Sequence, residues 1–201
     1  MIDLVLNSGI EKENRIFNFS KFYVNEKDFI LIKENNVEKL KKEINDAKNI
    51  FNLVLIEGNE NINRAVCESE DLILLSPWKG NGRLNQVLCK FANKNNTAIC
   101  FSFNEILEKE GKYRSILLNK IKETIKLCRK YKVKIILATF ASGFYELRNS
   151  FDLISFLVTL GMHPKEAKES FTNVLDIEEK NKEKKSKDFV SEGVKIVRYL
   201  R

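Results

Sequence analysis

Six short runs of apolar and β-branched residues, at 2–6, 29–32, 51–56, 72–75, 97–103 and 133–138, alternate with longer stretches whose apolar residues recur at helical spacing. Most of these runs are nearly continuous rather than alternating apolar with polar. That is the pattern of strands covered on both faces, as in a parallel sheet. Between them Val37, Leu40, Ile44 and Ala47 share one helical face, as do Leu84, Val87, Leu88 and Phe91, and again Leu117, Ile121, Ile125 and Cys128. A further helix is predicted after Asn149 or Ser150, with Asp152 in its first turn and Gly161 as its stop. Another starts at His163-Pro164, with proline at the permitted first position and Glu166 shortly after. Repeated strand–helix units with right-handed crossovers predict an α/β fold, closed into a barrel or open as a doubly wound sheet. Periodicity alone does not choose between the two.

A seventh or eighth strand would have to come from the weaker segments 19–24 or 171–177. Residues 178–188 are almost wholly Glu, Lys, Asn and Ser, and read as a solvated loop or frayed helix. One domain is therefore expected at residues 1–177, followed by a charged, less ordered tail at 178–201.

Several function classes are disfavoured. No apolar run approaches the ~20 residues that a membrane-spanning helix needs. The opening Met1-Ile2-Asp3-Leu4 has neither a basic leader nor a small-residue cleavage site, so a cytoplasmic protein with no membrane partner is expected. Cys67, Cys89, Cys100 and Cys128 form no Cys-x-x-Cys pair and read as small buried side chains in a reducing compartment.

The net charge of +7 is unevenly distributed: residues 1–71 carry 10 basic and 14 acidic side chains, residues 72–148 carry 15 and 5, and residues 149–201 carry 10 and 9. Between Asp71 and Glu105 there is no carboxylate at all. Such a local excess is the footprint of a surface for a polyanion, most often nucleic acid; the bland alternative is a lysine-rich composition decorating solvated helices.

In parallel α/β folds function gathers at the carboxyl ends of the strands. Here those ends offer Asn7, Lys33, Glu57, Ser76, Asn104 and Thr139, with Glu34 and Glu105 a step further out. The set is poor in metal ligands and in acid/base groups. The only histidine, His163, reads as a helix cap or surface residue, so a His-rich hydrolytic metal centre cannot be assembled. Lys79-Gly80-Asn81-Gly82-Arg83 lacks the lysine-serine ending of a nucleotide-binding loop and reads as a flexible turn. Trp78, the single tryptophan, is expected in the core or at the rim, where base stacking is the functional alternative.

Seven segments in register resemble a known family. They are Ser76-Pro77-Trp78, Leu84-Asn85-Gln86-Val87-Leu88, Ala98-Ile99-Cys100-Phe101-Ser102-Phe103, Tyr113-Arg114-Ser115-Ile116-Leu117-Leu118, Arg129-Lys130-Tyr131-Lys132-Val133, Tyr145-Glu146-Leu147-Arg148-Asn149-Ser150-Phe151-Asp152-Leu153-Ile154-Ser155 and Leu160-Gly161-Met162. Together, over residues 72 to about 175, they resemble the TIM-barrel protein subunit of archaeal and eukaryotic ribonuclease P. The resemblance implies a single TIM-barrel-like domain, complete or incomplete, related to the PHP phosphoesterases. In that group the metal site begins with His-x-His on the first strand, where this chain has Asp3-Leu4-Val5-Leu6-Asn7.

What the resemblance implies for function is an RNA-binding subunit that supports RNA-catalysed removal of 5′ leaders from precursor tRNA and is not itself catalytic. It implies no cofactor of the protein's own, the magnesium belonging to the RNA. Its partners would be the ribonuclease P RNA, a small ferredoxin-like subunit and other ribonuclease P proteins, with precursor tRNA met indirectly. A barrel would bring Lys79 and Arg83 after the fourth predicted strand, Lys112 and Arg114 in the loop after the fifth, and Arg148 beyond the sixth towards one face, where they would hold RNA. The competing role for Arg148 is an ion pair with Asp152. Two rival readings remain: a divergent metal-dependent phosphoesterase using Glu57, Glu34 and Asp3, and a small-molecule-binding α/β domain.

Overall fold

A computed structural model describes residues 1–186, 188–191 and 194–195 of the chain. Strand β1 (Ile2–Val5) runs parallel to β2 (Lys21–Val24), the two linked through a 3-10 segment at Ser8–Arg15. Strands β3 (Ile30–Ile32), β4 (Val54–Glu57), β5 (Ile73–Leu75), β6 (Ala98–Ser102) and β7 (Ile135–Ala138) form a second parallel sheet in sequence order. Segment 19–24 does supply a seventh strand.

The helices between them are α1 (Val37–Ile50), α2 (Asn63–Cys67), α3 (Gln86–Lys94), α4 (Phe103–Glu108) and α5 (Gly111–Tyr131). After β7 come α6 (Ser150–Thr159), α7 (Pro164–Glu169) and α8 (Asn173–Lys185). Asn36, Asn85 and Asn149 cap α1, α3 and α6 through their side-chain oxygens, and His163 forms a capping box with Glu166 at the start of α7. The buried face of α3 is Leu88, Cys89 and Ala92, with Val87 exposed; the stripe is rotated from the one read in the sequence.

Side-chain alternation sorts the strands into two cores. Ile2, Leu4, Leu53, Leu55, Ile73, Leu75, Ala98, Cys100, Ile136 and Ala138 meet in an inner cluster. Val5, Val54, Ile56, Leu74, Ile99, Phe101 and Leu137 face the helices in an outer one. All four cysteines are free and buried. Two enclosed layers around seven parallel strands make an incomplete TIM-like barrel, which resolves the choice that periodicity left open.

Both seams between the two sheets are closed partly by side chains. At one, Asn25 forms an isolated parallel bridge with Phe29 and its Oδ1 accepts from the Leu31 N–H at 3.0 Å. At the other, the backbone bonds Phe140 N–H to Leu4 O and Leu6 N–H to Ala141 O (both 2.9 Å) flank Asp3. The fully buried Asp3 carboxylate accepts from the N–H groups of Leu4 (2.9 Å) and Thr139 (2.7 Å) and from Thr139 Oγ1 (2.5 Å). Burial outweighs these bonds and pushes its pKa up from 3.8 to about 7.

The amino-terminal end of the barrel is closed by α8. Val174 and Ile177 enter the inner cluster, and Asn181 Nδ2 donates to Asn52 O and Asp71 O, just before β4 and β5. Lys184 lies 2.6 Å from Asp71, and Asn173 donates to Ile135 O at the start of β7. Segment 171–177 is therefore not a strand but the entry to a helix. That helix continues to Lys185 through the stretch read as a solvated loop or frayed helix. Beyond it, β8 (Phe189–Ser191) and β9 (Val194–Lys195) form a short antiparallel pair; the rest of the expected tail, at 187, 192–193 and 196–201, lies outside the described residues.

Candidate nucleic-acid interface

At the carboxyl ends of the strands most polar groups are bonded to one another. Asn7 Nδ2 donates to Ser142 O at 2.9 Å, and Thr139 is bonded to Asp3. Ser76, fully buried and in the left-handed region at φ 48°, donates from Oγ to Glu105 Oε2 at 2.6 Å. The other oxygen of Glu105 accepts from Trp78 Nε1 at 3.0 Å. The indole is 6% exposed and tilts against Phe101 at 5.5 Å, so Trp78 is a core residue and not a free stacking platform.

The loop that follows is tightly folded. Asn63 Nδ2 donates to Pro77 O, and a Cβ on Gly82 would lie 2.4 Å from Pro77 O and 2.9 Å from Lys79 O. Gly82→Ala is therefore expected to cost about 1–3 kcal/mol through forced backbone movement. Thermal unfolding checks this, and an unchanged midpoint would contradict it. Gly80, at φ 62° with open space around it, serves the turn in the way the sequence suggests.

The carboxylates named for a metal centre do not converge. Glu57 lies 2.6 Å from Lys79, Glu34 accepts from the N–H groups of Asn35 and Asn36, and Asp3 is sealed in the β1–β7 seam. Among the described residues no group of three or more His, Cys, Asp or Glu is arranged to hold a metal. The residues present do not fit the metal site of the PHP group.

The five cations expected to hold RNA follow β5, β6 and β7, three neighbours in the sheet, but they differ in what they are free to do. Arg83 is exposed and makes no ion pair among the described residues, and it lines a groove of about 340 Å³ with Trp78, Lys120, Glu123 and Thr124. Lys112 is also exposed and has no ion-pair partner among the described residues. Lys79 is held by Glu57. Arg114 donates to Lys109 O (2.6 Å) and Leu107 O (3.3 Å), clasping the corner between α4 and α5. Lys112 and Arg114 are thus not in a loop: α5 begins at Gly111 and carries both in its first turn.

Arg148 donates to Tyr145 O and Leu147 O (both 2.7 Å) and lies 5.9 Å over the Phe103 ring, bracing its own loop rather than pairing with Asp152. Lys120, Lys122 and Lys126, outside the set expected from the sequence, have no ion-pair partner among the described residues; the regular four-residue spacing of Lys122, Lys126 and Lys130 is the signal that marks the row.

The model of the family described as RNase P subunit p30 matches residues 30–186. Ribonuclease P protein component 3 of Methanocaldococcus jannaschii is 32% identical over 135 residues, covering 65% of this chain and 58% of the relative. The protein of the same name from Methanococcoides burtonii is 32% identical over 165 residues, covering 80% of this chain and 68% of the relative. A chain in a structure described as archaeal ribonuclease P with mature tRNA superposes with a TM-score of 0.77 at 26% identity, covering 100% of this chain and 89% of that one.

Proposed function

Because the chain belongs to the RNase P subunit p30 family, we propose that it is an RNA-binding protein subunit of ribonuclease P, supporting the removal of 5′ leaders from precursor tRNA by the complex. The observation that carries the reading is the set of cations between residues 83 and 126 that, among the described residues, have no carboxylate partner, on a barrel whose described residues include no group of three or more metal-binding side chains. Neutralising phosphates with such side chains releases counterions, and this is what a protein can contribute to an RNA catalyst crowded with its own charge. The chemistry and its magnesium then belong to the RNA, and this chain contributes no catalytic group.

Protein partners fit the same reading. Ile16, Phe144, Tyr145 and Phe151 are exposed, with Phe144 against Phe17 and Tyr145, and apolar surface of that kind is typical of a subunit in an assembly. A small ferredoxin-like subunit, with other ribonuclease P proteins and the RNA, is the partner set proposed, working in the cytoplasm. Among the described residues no helix is long and apolar enough to cross a membrane.

Reconstitution tests the proposal. The purified chain alone should leave precursor tRNA intact. Added to its ribonuclease P RNA together with the small subunit, it should raise cleavage at low magnesium. Metal-dependent nuclease activity that co-purifies with the chain and disappears in Glu57→Gln would overturn it.

A further inference from the structure

We infer that the outer face of α5, with the groove it shares with the loop before α3, is the surface that lies along the phosphate backbone of structured RNA. This inference rests on the RNA-binding reading and shifts the contact from the barrel mouth to its flank. The mouth is poorly suited: of the cations there, Lys79, Arg114 and Arg148 are each bonded to this chain's own oxygens. The flank is the reverse.

Lys122, Lys126 and Lys130 stand one above another on the exposed side of α5, about 6 Å apart along the axis. Around the helix from that row, Lys120 and Arg83 line the groove between α5 and the loop before α3. Several lysines elsewhere have carboxylate partners at short range, such as Lys21 with Asp28 (2.8 Å) and Lys27 with Glu11 (2.7 Å), and the exposed lysines of α1, Lys39, Lys41 and Lys42, are interleaved with Glu38, Glu43 and Asp46 on the same helix. Within α5 the one carboxylate, Glu123, makes no ion pair with the flank's cations among the described residues, and Glu166 of α7, which reaches the same helix, is taken up by Arg129 at 2.6 Å.

Like charges four residues apart on a helix repel, and basic residues in a first turn oppose the helix dipole. Lys112 and Arg114 stand in that first turn. The helix therefore carries repulsion that a bound polyanion would relieve. The shape selects the kind of anion. These cations are strung along a convex rod, Lys112 to Lys130 spanning about 27 Å, and do not converge on one point. A line of phosphates matches that array; a small anion does not. Lysines dominate the row, and as point charges they favour backbone contact over base reading.

The test compares two variants with equal loss of charge, Lys120→Gln/Lys122→Gln/Lys126→Gln on α5 and Lys39→Gln/Lys41→Gln/Lys42→Gln on the exposed face of α1. Binding of the full-length chain to its ribonuclease P RNA is measured across a salt series. The α5 variant should keep or slightly raise the thermal midpoint and reduce the slope of log K against log salt by about 2–3, since each lost phosphate contact removes nearly one. The α1 variant should keep the parental slope. An unchanged slope in the α5 variant, or equal losses in both, overturns the α5 surface while leaving the RNA-binding reading standing. If the α5 variant instead lost salt-dependent binding to the small protein subunit alone, the surface would be an acidic-protein site and the inference would be wrong. A parent chain that neither binds the RNA nor raises its activity overturns both.

Discussion

Unfolded by urea at pH 5, the protein should be more stable relative to its Asp3→Asn variant than it is at pH 8. The cause is the buried carboxyl at the β1–β7 seam, whose pKa is raised from 3.8 to about 7. With the folded value above the unfolded one, the native state binds the extra proton. The stabilisation is whole below about 3.8 and is lost as pH rises through about 7.

At 1.36 kcal/mol per unit the full effect is on the order of 4 kcal/mol, most of it falling between pH 5 and pH 8. Asparagine keeps an oxygen for the Leu4 and Thr139 N–H groups and has no charge to desolvate, so its own contribution should be flat with pH. Asp3→Ala leaves those donors and the Thr139 hydroxyl without an acceptor and should cost about 2–4 kcal/mol at pH 5. Parallel pH profiles for the parent and Asp3→Asn would show that the carboxyl is ionised throughout, and the idea would fail.

Glu105→Ala should lower the thermal midpoint by about 5–15 °C. The substitution removes the acceptors of two buried donors, Ser76 Oγ and Trp78 Nε1. Each orphaned donor costs about 1–3 kcal/mol, and for a chain of this size 1 kcal/mol corresponds to roughly 2–4 °C. Glu105→Gln, which keeps one oxygen for the indole and an amide facing the hydroxyl, should recover most of the loss. Trp78 is the only tryptophan, so its fluorescence reports the site directly. In the alanine variant the emission should move to longer wavelength as water reaches the indole. A midpoint and spectrum like the parent's would mean that the Glu105 bonds contribute nothing.

Much of the barrel could be read in advance because its strands are buried on both faces, and that leaves continuous runs such as 72–75 and 133–138 that few other structures produce. Helix α8 was obscured for the opposite reason. Val174, Ile177 and Asn181 are buried, at spacings of three and four, with Leu175 partly buried beside them, while its other positions are mostly charged and mask the stripe. The pairing of Asp3 with Thr139 spans 136 residues, and no local pattern encodes it. Net charge singled out the middle third of the chain, but not which of its cations were already occupied. Arg114 and Arg148 look ideal for phosphate in sequence; backbone carbonyls claim them only once α4, α5 and the loop at 144–146 are folded.

The same long-range closure sets the order in which the barrel can be completed. Strand β1 finds β2 locally, but its other edge has no partner until residues 139–141 exist, and the floor of the barrel waits for α8. Until then the β1 edge and the inner apolar surface stand open, which is the condition under which chains pair with the wrong neighbour. Folding should therefore be slow for a chain of this length, governed by contacts more than 100 residues apart in sequence rather than by its helices.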